Sequence, residues 1–302
     1  MVDQLADDYA DEPVLFLEHD VDDPAGQRYG RWWAGYNDSG ALLPLTMVDS
    51  GRQVNSGATD FYDISKSMVD AALARQPKAE ITAYHQRSGD DLHVYGKLSN
   101  RSGVSLSPMA NGAAIHALVY EEAQIGATSR FVHAAPWSDI SPGLASGETM
   151  TFTLSATLTG VNWDKVRSVA LADYRPDGGA FDMLQAAVTQ PATFTVGVDS
   201  LAFVMDTNDP RKVTVPVGFG GPHVLRWTAT ESLDWIELSA VSGSISEPLL
   251  VSVDPVGLSP GWQHGSITFT ASSSSGLSFQ EEVPVSAYYG SLVRVYLPAV
   301  MR

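Results

Sequence analysis

Ile81-Thr82-Ala83-Tyr84-His85-Gln86-Arg87-Ser88-Gly89-Asp90-Asp91-Leu92-His93-Val94-Tyr95-Gly96-Lys97-Leu98 decides how this chain is read. Ile81, Ala83 and His85 alternate with polar neighbours, Ser88-Gly89-Asp90 turns the chain, and Leu92, Val94, Gly96 and Leu98 alternate again. A period of two on either side of a turn is a β-hairpin with one buried face. Further strands are expected at 113–121, 130–134, 149–158, 166–174 and 181–188, separated by Gly, Pro, Ser and Asn turns. Seven short strands of this kind predict an antiparallel sandwich of immunoglobulin type, ending near Pro191.

The pattern changes on both sides of this region. Residues 192–290 repeat the all-β habit in a different sequence, with strands expected at 193–198, 201–205, 212–217, 224–229, 249–253, 265–271 and 279–287. Ser272-Ser273-Ser274-Ser275-Gly276 reads as a hairpin loop, since strands flank it closely. Residues 1–77 alternate helical and strand patterns instead. Val2, Leu5, Ala6 and Tyr9 follow a helical spacing that Pro13 stops. Val14-Leu15-Phe16-Leu17 reads as a strand buried on both faces, as parallel strands are. Tyr29, Trp32, Trp33 and Tyr36 repeat the helical spacing with an aromatic face. Leu45-Thr46-Met47-Val48 is a second strand, Asp49-Ser50-Gly51-Arg52 a tight turn and Gln53-Val54-Asn55 a return strand. Phe61, Ile64, Ser65, Met68 and Ala72 close the segment as a helix, giving the order α-β-α-β-β-α.

Composition narrows the function classes. The 302 residues carry 35 acidic and 18 basic side chains, a net charge of −17. No segment has a basic excess to replace phosphate counterions, so nucleic acid is excluded as a partner. There is no cysteine, and with it go disulfides, thiolate metal sites and thiol nucleophiles within this chain. No apolar run approaches the roughly 20 residues that span a bilayer. Met1-Val2-Asp3-Gln4-Leu5-Ala6-Asp7-Asp8 is acidic and does not read as a signal peptide.

The first segment resembles the later three-quarters of a thioredoxin fold. The resemblance rests on the opening helix, Val14-Leu15-Phe16-Leu17-Glu18-His19-Asp20-Val21-Asp22, the helix from Gly26 to Tyr36, and Leu43-Pro44-Leu45-Thr46-Met47-Val48-Asp49-Ser50-Gly51. It implies a cis-proline before the fourth strand of that family, and Pro44 stands in its place. The opening strand and the Cys-x-x-Cys of the family have no counterpart, so no redox residue is carried over. Residues 192–290 resemble a BACON domain, a β-sandwich module of exported bacterial proteins. Trp227-Thr228-Ala229, Leu233-Asp234-Trp235-Ile236, Val241-Ser242-Gly243, Val251-Ser252-Val253-Asp254 and the run Gly257-Leu258-Ser259-Pro260-Gly261-Trp262-Gln263-His264-Gly265-Ser266-Ile267 carry that likeness, with Val283-Pro284-Val285 closing it. Val295-Tyr296-Leu297-Pro298-Ala299-Val300 is similar to short terminal tails on exported bacterial proteins.

Candidate sites divide between chemistry and packing. The aromatic set Tyr29, Trp32, Trp33, Tyr36 could stack a ligand, but its helical spacing favours packing on a sheet, with one of the two adjacent Trp partly exposed. Asp20, Asp22 and Asp23 lack the Gly and Glu positions of a calcium loop and read as a solvated loop. Asp206-Thr207-Asn208-Asp209-Pro210 reads as a turn. The seven histidines show no metal-ligand spacing, and His19, between Glu18 and Asp20, reads as a neutral hydrogen-bonded ring. No Gly-x-Ser-x-Gly elbow occurs. The carbohydrate-binding candidates are Trp262, in a turn after Pro260-Gly261, and Trp227 and Trp235. The alternation of Leu233-Asp234-Trp235-Ile236-Glu237-Leu238 buries Trp235 together with Leu233.

These readings combine into a multidomain α/β plus all-β chain. An incomplete thioredoxin-like fold (1–77) precedes two immunoglobulin-like β-sandwiches (78–190 and a BACON-like 191–290), with a tail over 291–302. The expected function is a non-catalytic role, cell-surface interaction or spacer, in an exported bacterial protein located outside the cell, in the periplasm or in the envelope. A carbohydrate or a cell-surface protein is the implied partner, and no cofactor, metal or catalytic residue is expected. Two alternatives stand beside it. One is a fragment of a thiol–disulfide oxidoreductase whose Cys-x-x-Cys lies upstream of this chain. The other is a carbohydrate-binding protein acting through the BACON-like domain.

Overall fold

The structure, a computed structural model, describes residues 2–19, 27–36, 40–57, 59–124, 128–220, 226–244, 248–272 and 278–291. The acidic loop at 20–23, residues 273–276 of the serine run and the tail from 292 onward lie outside the described residues. The chain divides into two compact units, residues 1–191 and 192–302.

In the first unit, α1 (Val2–Asp8), α2 (Gln27–Tyr36), β1 (Leu45–Val48), β2 (Gln53–Ser56) and α3 (Phe61–Leu73) precede the sandwich. The sandwich comprises β3 (Ala79–Ser88), β4 (Asp91–Asn100), β5 (Ala114–Glu121), β6 (Phe131–Ala134), β7 (Trp137–Asp139), β8 (Thr149–Thr157), β9 (Val166–Tyr174), β10 (Asp182–Val188) and β11 (Gln190–Pro191), with the short helix α4 (Pro108–Asn111) before β5. One sheet runs β11-β3-β4-β8, the other β10-β9-β5-β6 with β7 beside β5. Apart from the parallel β11–β3 pair, this is the two-sheet antiparallel arrangement of immunoglobulin- and fibronectin-type sandwiches. The founding hairpin pairs Tyr84 with Tyr95 and Ser88 with Asp91. Gly89 takes the left-handed conformation its tight turn requires, φ +63°. β7 and β11, three and two residues long, are too short for a period of two to register in the sequence.

A continuous core of Leu92, Val94, Leu98, Ile115, Val119, Phe152, Leu154, Ala170 and Leu184 fills the space between the sheets. β5 departs from simple alternation, because all eight of its residues are buried. Ile115, Ala117 and Val119 face that core, while Leu118 and, from β9, Val169 and Leu171 join a second cluster with Trp32, Leu15, Leu17 and Met47. The N-terminal segment therefore covers the outer face of the β10-β9-β5-β6 sheet.

The helical segment and the first sandwich pack together as one compact unit. The thioredoxin-like sheet expected over 1–77 is reduced, since the ladder there is the β1–β2 hairpin alone. Residues 14–19 are extended and make one parallel bridge, Glu18 to Phe131 of β6. The physical reason lies in how the side chains are shared. Val14 and Phe16 pack with Leu5, Tyr9, Val69 and Val48 against α1 and α3, whereas Leu15 and Leu17 pack on the sandwich. The run is half-buried and packed on both sides, and packing fixes it where the ladder does not.

The second unit holds β12 (Thr193–Val196), β13 (Leu201–Met205), β14 (Arg211–Val215), β15 (Val217–Gly220), β16 (Arg226–Glu231), β17 (Ile236–Leu238), β18 (Ser242–Ser244), β19 (Leu249–Val253), β20 (Gly261–Ser272) and β21 (Ser278–Tyr289). Its sheets are β13-β21-β20-β16-β18, β14-β19-β17 and the pair β12-β15, with β13 parallel to β21. Ile267, Phe269 and Ala271 of β20 point inward and are fully buried. Trp227 pairs with Gly243 across β16 and β18. A Cβ at Gly243 would sit 2.5 Å from the Trp227 ring, and Trp227, 1% exposed, has nowhere to move. Gly243→Ala is therefore expected to destabilise the second unit by about 1–3 kcal/mol, the usual cost of overpacking. Denaturant unfolding of the full chain, followed by fluorescence and near-UV circular dichroism, measures it; unchanged stability would show that β18 yields at no cost.

Candidate functional site

The sequence candidates in the second unit fare differently from one another. Trp227 is 1% exposed and donates its indole N–H to Ser244 O at 2.9 Å, and Trp235 is 7% exposed. Neither ring offers a free face to a sugar, so both drop out as carbohydrate-binding candidates. Leu233 was expected to be buried with Trp235 but is exposed. Residues 232–235 form a bend and turn closed by Ile236 N–H to Leu233 O at 3.0 Å, so strand alternation starts only with β17.

Trp262 is 55% exposed, on the solvent face of the five-stranded sheet. Its ring centroid lies 5.4 Å from Tyr288 and 6.4 Å from His264, nearly parallel to the latter at 8°. Strand register explains the grouping: Trp262 pairs with Tyr288, and Tyr288 with Val204. His264 is two residues along β20 on the same face, its Nδ1 3.1 Å from Ser286 Oγ. The result is a row of apolar and aromatic surface across β20, β21 and β13.

In the first unit the Leu43–Pro44 peptide bond is cis, and Pro44 is exposed just before β1. Of the aromatic set on α2, Trp32 is buried, Tyr29 and Trp33 are half-buried and Tyr36 is exposed. Trp32 does more than pack. Its indole Nε1–H donates to Asp173 Oδ2 at 2.7 Å, and Arg31 Nη2 donates to Asp173 Oδ1 at 2.8 Å and to Gly112 O at 2.7 Å. His116 Nε2 approaches Asp173 Oδ2 at 3.2 Å. Asp173 and His116 have no solvent exposure at all. Burial works to raise the Asp173 carboxyl, but His116 and Arg31 overcome it and hold the group at about 2.

A second buried carboxylate lies where β10 meets the N-terminal segment. Asp182 accepts from Arg75 Nη2 at 2.5 Å and Lys78 Nζ at 2.7 Å, with Arg52 Nη1 at 3.3 Å. Arg75 also donates to Asp49 Oδ2 at 2.6 Å. Burial opposes ionisation of Asp182, and Lys78 and Arg75 outweigh it, so its carboxyl is lowered. Asp49 is raised, because there burial outweighs Arg75. Beside this network opens a cavity of about 580 Å³ lined by Arg52, Gln53, Arg75, Asp177 and their neighbours.

Sequence reasoning singled out neither carboxylate. The available signal was a charge inside an apolar strand: Asp173 in Val169-Ala170-Leu171-Ala172-Asp173-Tyr174 and His116 in Ala114-Ile115-His116-Ala117-Leu118. Among the described residues no group of three or more His, Asp and Glu side chains could hold a metal ion. No described helix is long and apolar enough to cross a membrane.

No known family model matches the sequence, and no curated protein matches it. Among solved structures, the chain is similar to HBP35 of Porphyromonas gingivalis, at 10% identity and TM-score 0.41, over 85% of this chain and 80% of that one. It is also similar to the fibronectin(III)-like modules of Clostridium thermocellum CbhA, at 13% identity and TM-score 0.23, over 73% and 99%. Domains 4 and 5 of the S-layer protein SbsC match at 12% identity and TM-score 0.25, over 57% and 97%. The immunoglobulin-like assignment of the β region rests on its own strand order.

Asp173→Asn is expected to destabilise the protein by about 3 kcal/mol, because the half-buried Arg31 is left beside a neutral amide. A depressed carboxyl contributes stability above its unfolded value, and that contribution is lost as pH falls from about 4 through about 2. Acid unfolding curves of wild type and variant should therefore converge toward pH 2. A constant gap down to pH 2 would contradict the ionic role of Asp173.

Proposed function

We propose that this chain is a non-catalytic, exported bacterial protein whose two sandwich units serve cell-surface interaction or spacing. One observation carries the reading: the ionisable groups of the first unit with the most perturbed environments are spent as struts. Asp173 is taken up by Arg31, Trp32 and His116, and Asp182 by Arg75, Lys78 and Arg52. Groups committed in this way hold layers together and leave no lone pair for general acid–base work. The likeness of residues 1–77 to a truncated thioredoxin-like fold, and of residues 192–290 to a BACON-like module, belongs to the same proposal. The second of these supports a location in the envelope or outside the cell. Membrane-impermeant labelling of intact cells that make the native product checks it. Labelled product supports the reading, and product confined to the cell interior overturns it.

A second reading is favoured by the exposure of Trp262. The row Trp262, Tyr288 and His264 offers ring faces of the kind sugars stack on, and the carbohydrate-binding alternative falls on this surface. The net charge of −17 favours neutral or cationic glycans over polyanionic ones. In a glycan array with the full chain, binding is expected to be lost in Trp262→Ala, with thermal stability within about 0.5 kcal/mol of wild type, as for other surface substitutions. Binding that survives the substitution would remove this surface from the account.

A further inference from the structure

Arg28 and Arg31 lie one turn apart on α2, and both guanidinium groups stand over the indole of Trp137, at 4.4 and 5.8 Å from the ring centroid. Arg28 is a buried residue, 9% exposed. Its Nη1 makes no hydrogen bond, nor do Arg31 Nε and Nδ1 of His116, whose ring stacks on Trp137 from the sheet at 6.3 Å. The carboxylate that faces this cluster is Asp173, whose oxygens already accept from Arg31 Nη2 and Trp32 Nε1. Arg28, buried, and Arg31, half-buried, thus share one carboxylate, and among the described residues the cluster is one negative charge short. A water molecule can fill a missing hydrogen bond but cannot supply the charge, and an unpaired buried ion is strongly disfavoured. Repulsion fits this picture. Burial first, and then Arg31, lower the affinity of Arg28 for its proton, and Asp173 offsets them only in part.

We propose that Arg28, Arg31 and Trp137 form a site for a small oxyanion, a carboxylate or phosphate group, held by the two guanidinium groups beside the indole. The guanidinium fork suits either group, because both present paired oxygens. Trp137 is 43% exposed on the short strand β7, so the wall of the site reaches solvent. This site belongs to the first unit and is independent of the glycan reading of Trp262.

The test titrates the ¹⁵N-labelled full chain with sodium phosphate and, separately, with sodium acetate, following arginine side-chain N–H resonances. At least one arm is expected to show saturable shifts of the Arg31 Nε–H signal. The phosphate and acetate arms tell the two ligand classes apart. In Arg28→Gln, affinity is expected to fall about tenfold or more, as for loss of one charge-assisted contact. In Arg87→Gln, which removes a guanidinium stacked 4.2 Å over Trp163, affinity is expected to stay unchanged. Should Arg28→Gln fail to fold, Arg28→Lys keeps the charge, loses the fork and is expected to bind more weakly. Shifts that do not saturate in either arm, or equal affinity in the Arg28 variant, overturn the proposal.

Discussion

A carboxylate with no solvent exposure, Asp173, ties the N-terminal helices to the outer face of the first sandwich. It sits on β9, on the face that a lone sandwich would turn to water. α2 reaches it twice, through Arg31 and Trp32. Most of the driving force for this packing is apolar: Leu15, Leu17, Met47 and Trp32 meet Leu118, Val169, Leu171 and Phe181. Each such side chain contributes about 1.5–3 kcal/mol when fully buried. The ionic contacts are directional and the apolar ones are not, so Asp173 and Asp182 fix where the layer sits as well as that it sits there. With Asp182 held by Arg75 and Lys78, the N-terminal layer is anchored at two separate points.

The same constraint decides where function is sought. The most strongly shifted carboxyl in the first unit is the one most fully occupied by the fold, so perturbation there reports architecture and not a reactive group. In the second unit the order is reversed. Its core Trp227 and Trp235 are closed off, while Trp262, on the open face of β20, lies against the rings of Tyr288 and His264, which are themselves at least partly exposed.

Much of the fold was legible because alternation survives wherever one face is buried and the other wet. The 81–98 hairpin, the β1–β2 turn and most strands of both sandwiches fall within a few residues of their expected places. The limits have physical causes. Val14-Leu15-Phe16-Leu17 is packed on both sides, yet an apolar run does not say which neighbour covers each side, and one neighbour was the sandwich. The single-unit nature of residues 1–191 was hidden for the same reason. The signal that could have exposed it is the full burial of β5, written as an unbroken apolar strand interrupted by His116. At the candidate site, burial of Trp227 and exposure of Trp262 depend on cross-strand partners. Gly243 makes room for one ring and Tyr288 flanks the other, and neither relation can be read from spacing along one strand.

The central claim is that residues 2–76 and the first sandwich fold as one cooperative unit. Native-state hydrogen exchange of the full chain measures it most directly, by comparing the opening free energies of α3 and β5. The slowest amides of Phe61–Leu73 are expected to open with the same free energy and denaturant dependence as those of Ala114–Glu121. Exchange of α3 at a much lower free energy, with β5 still protected, would contradict it.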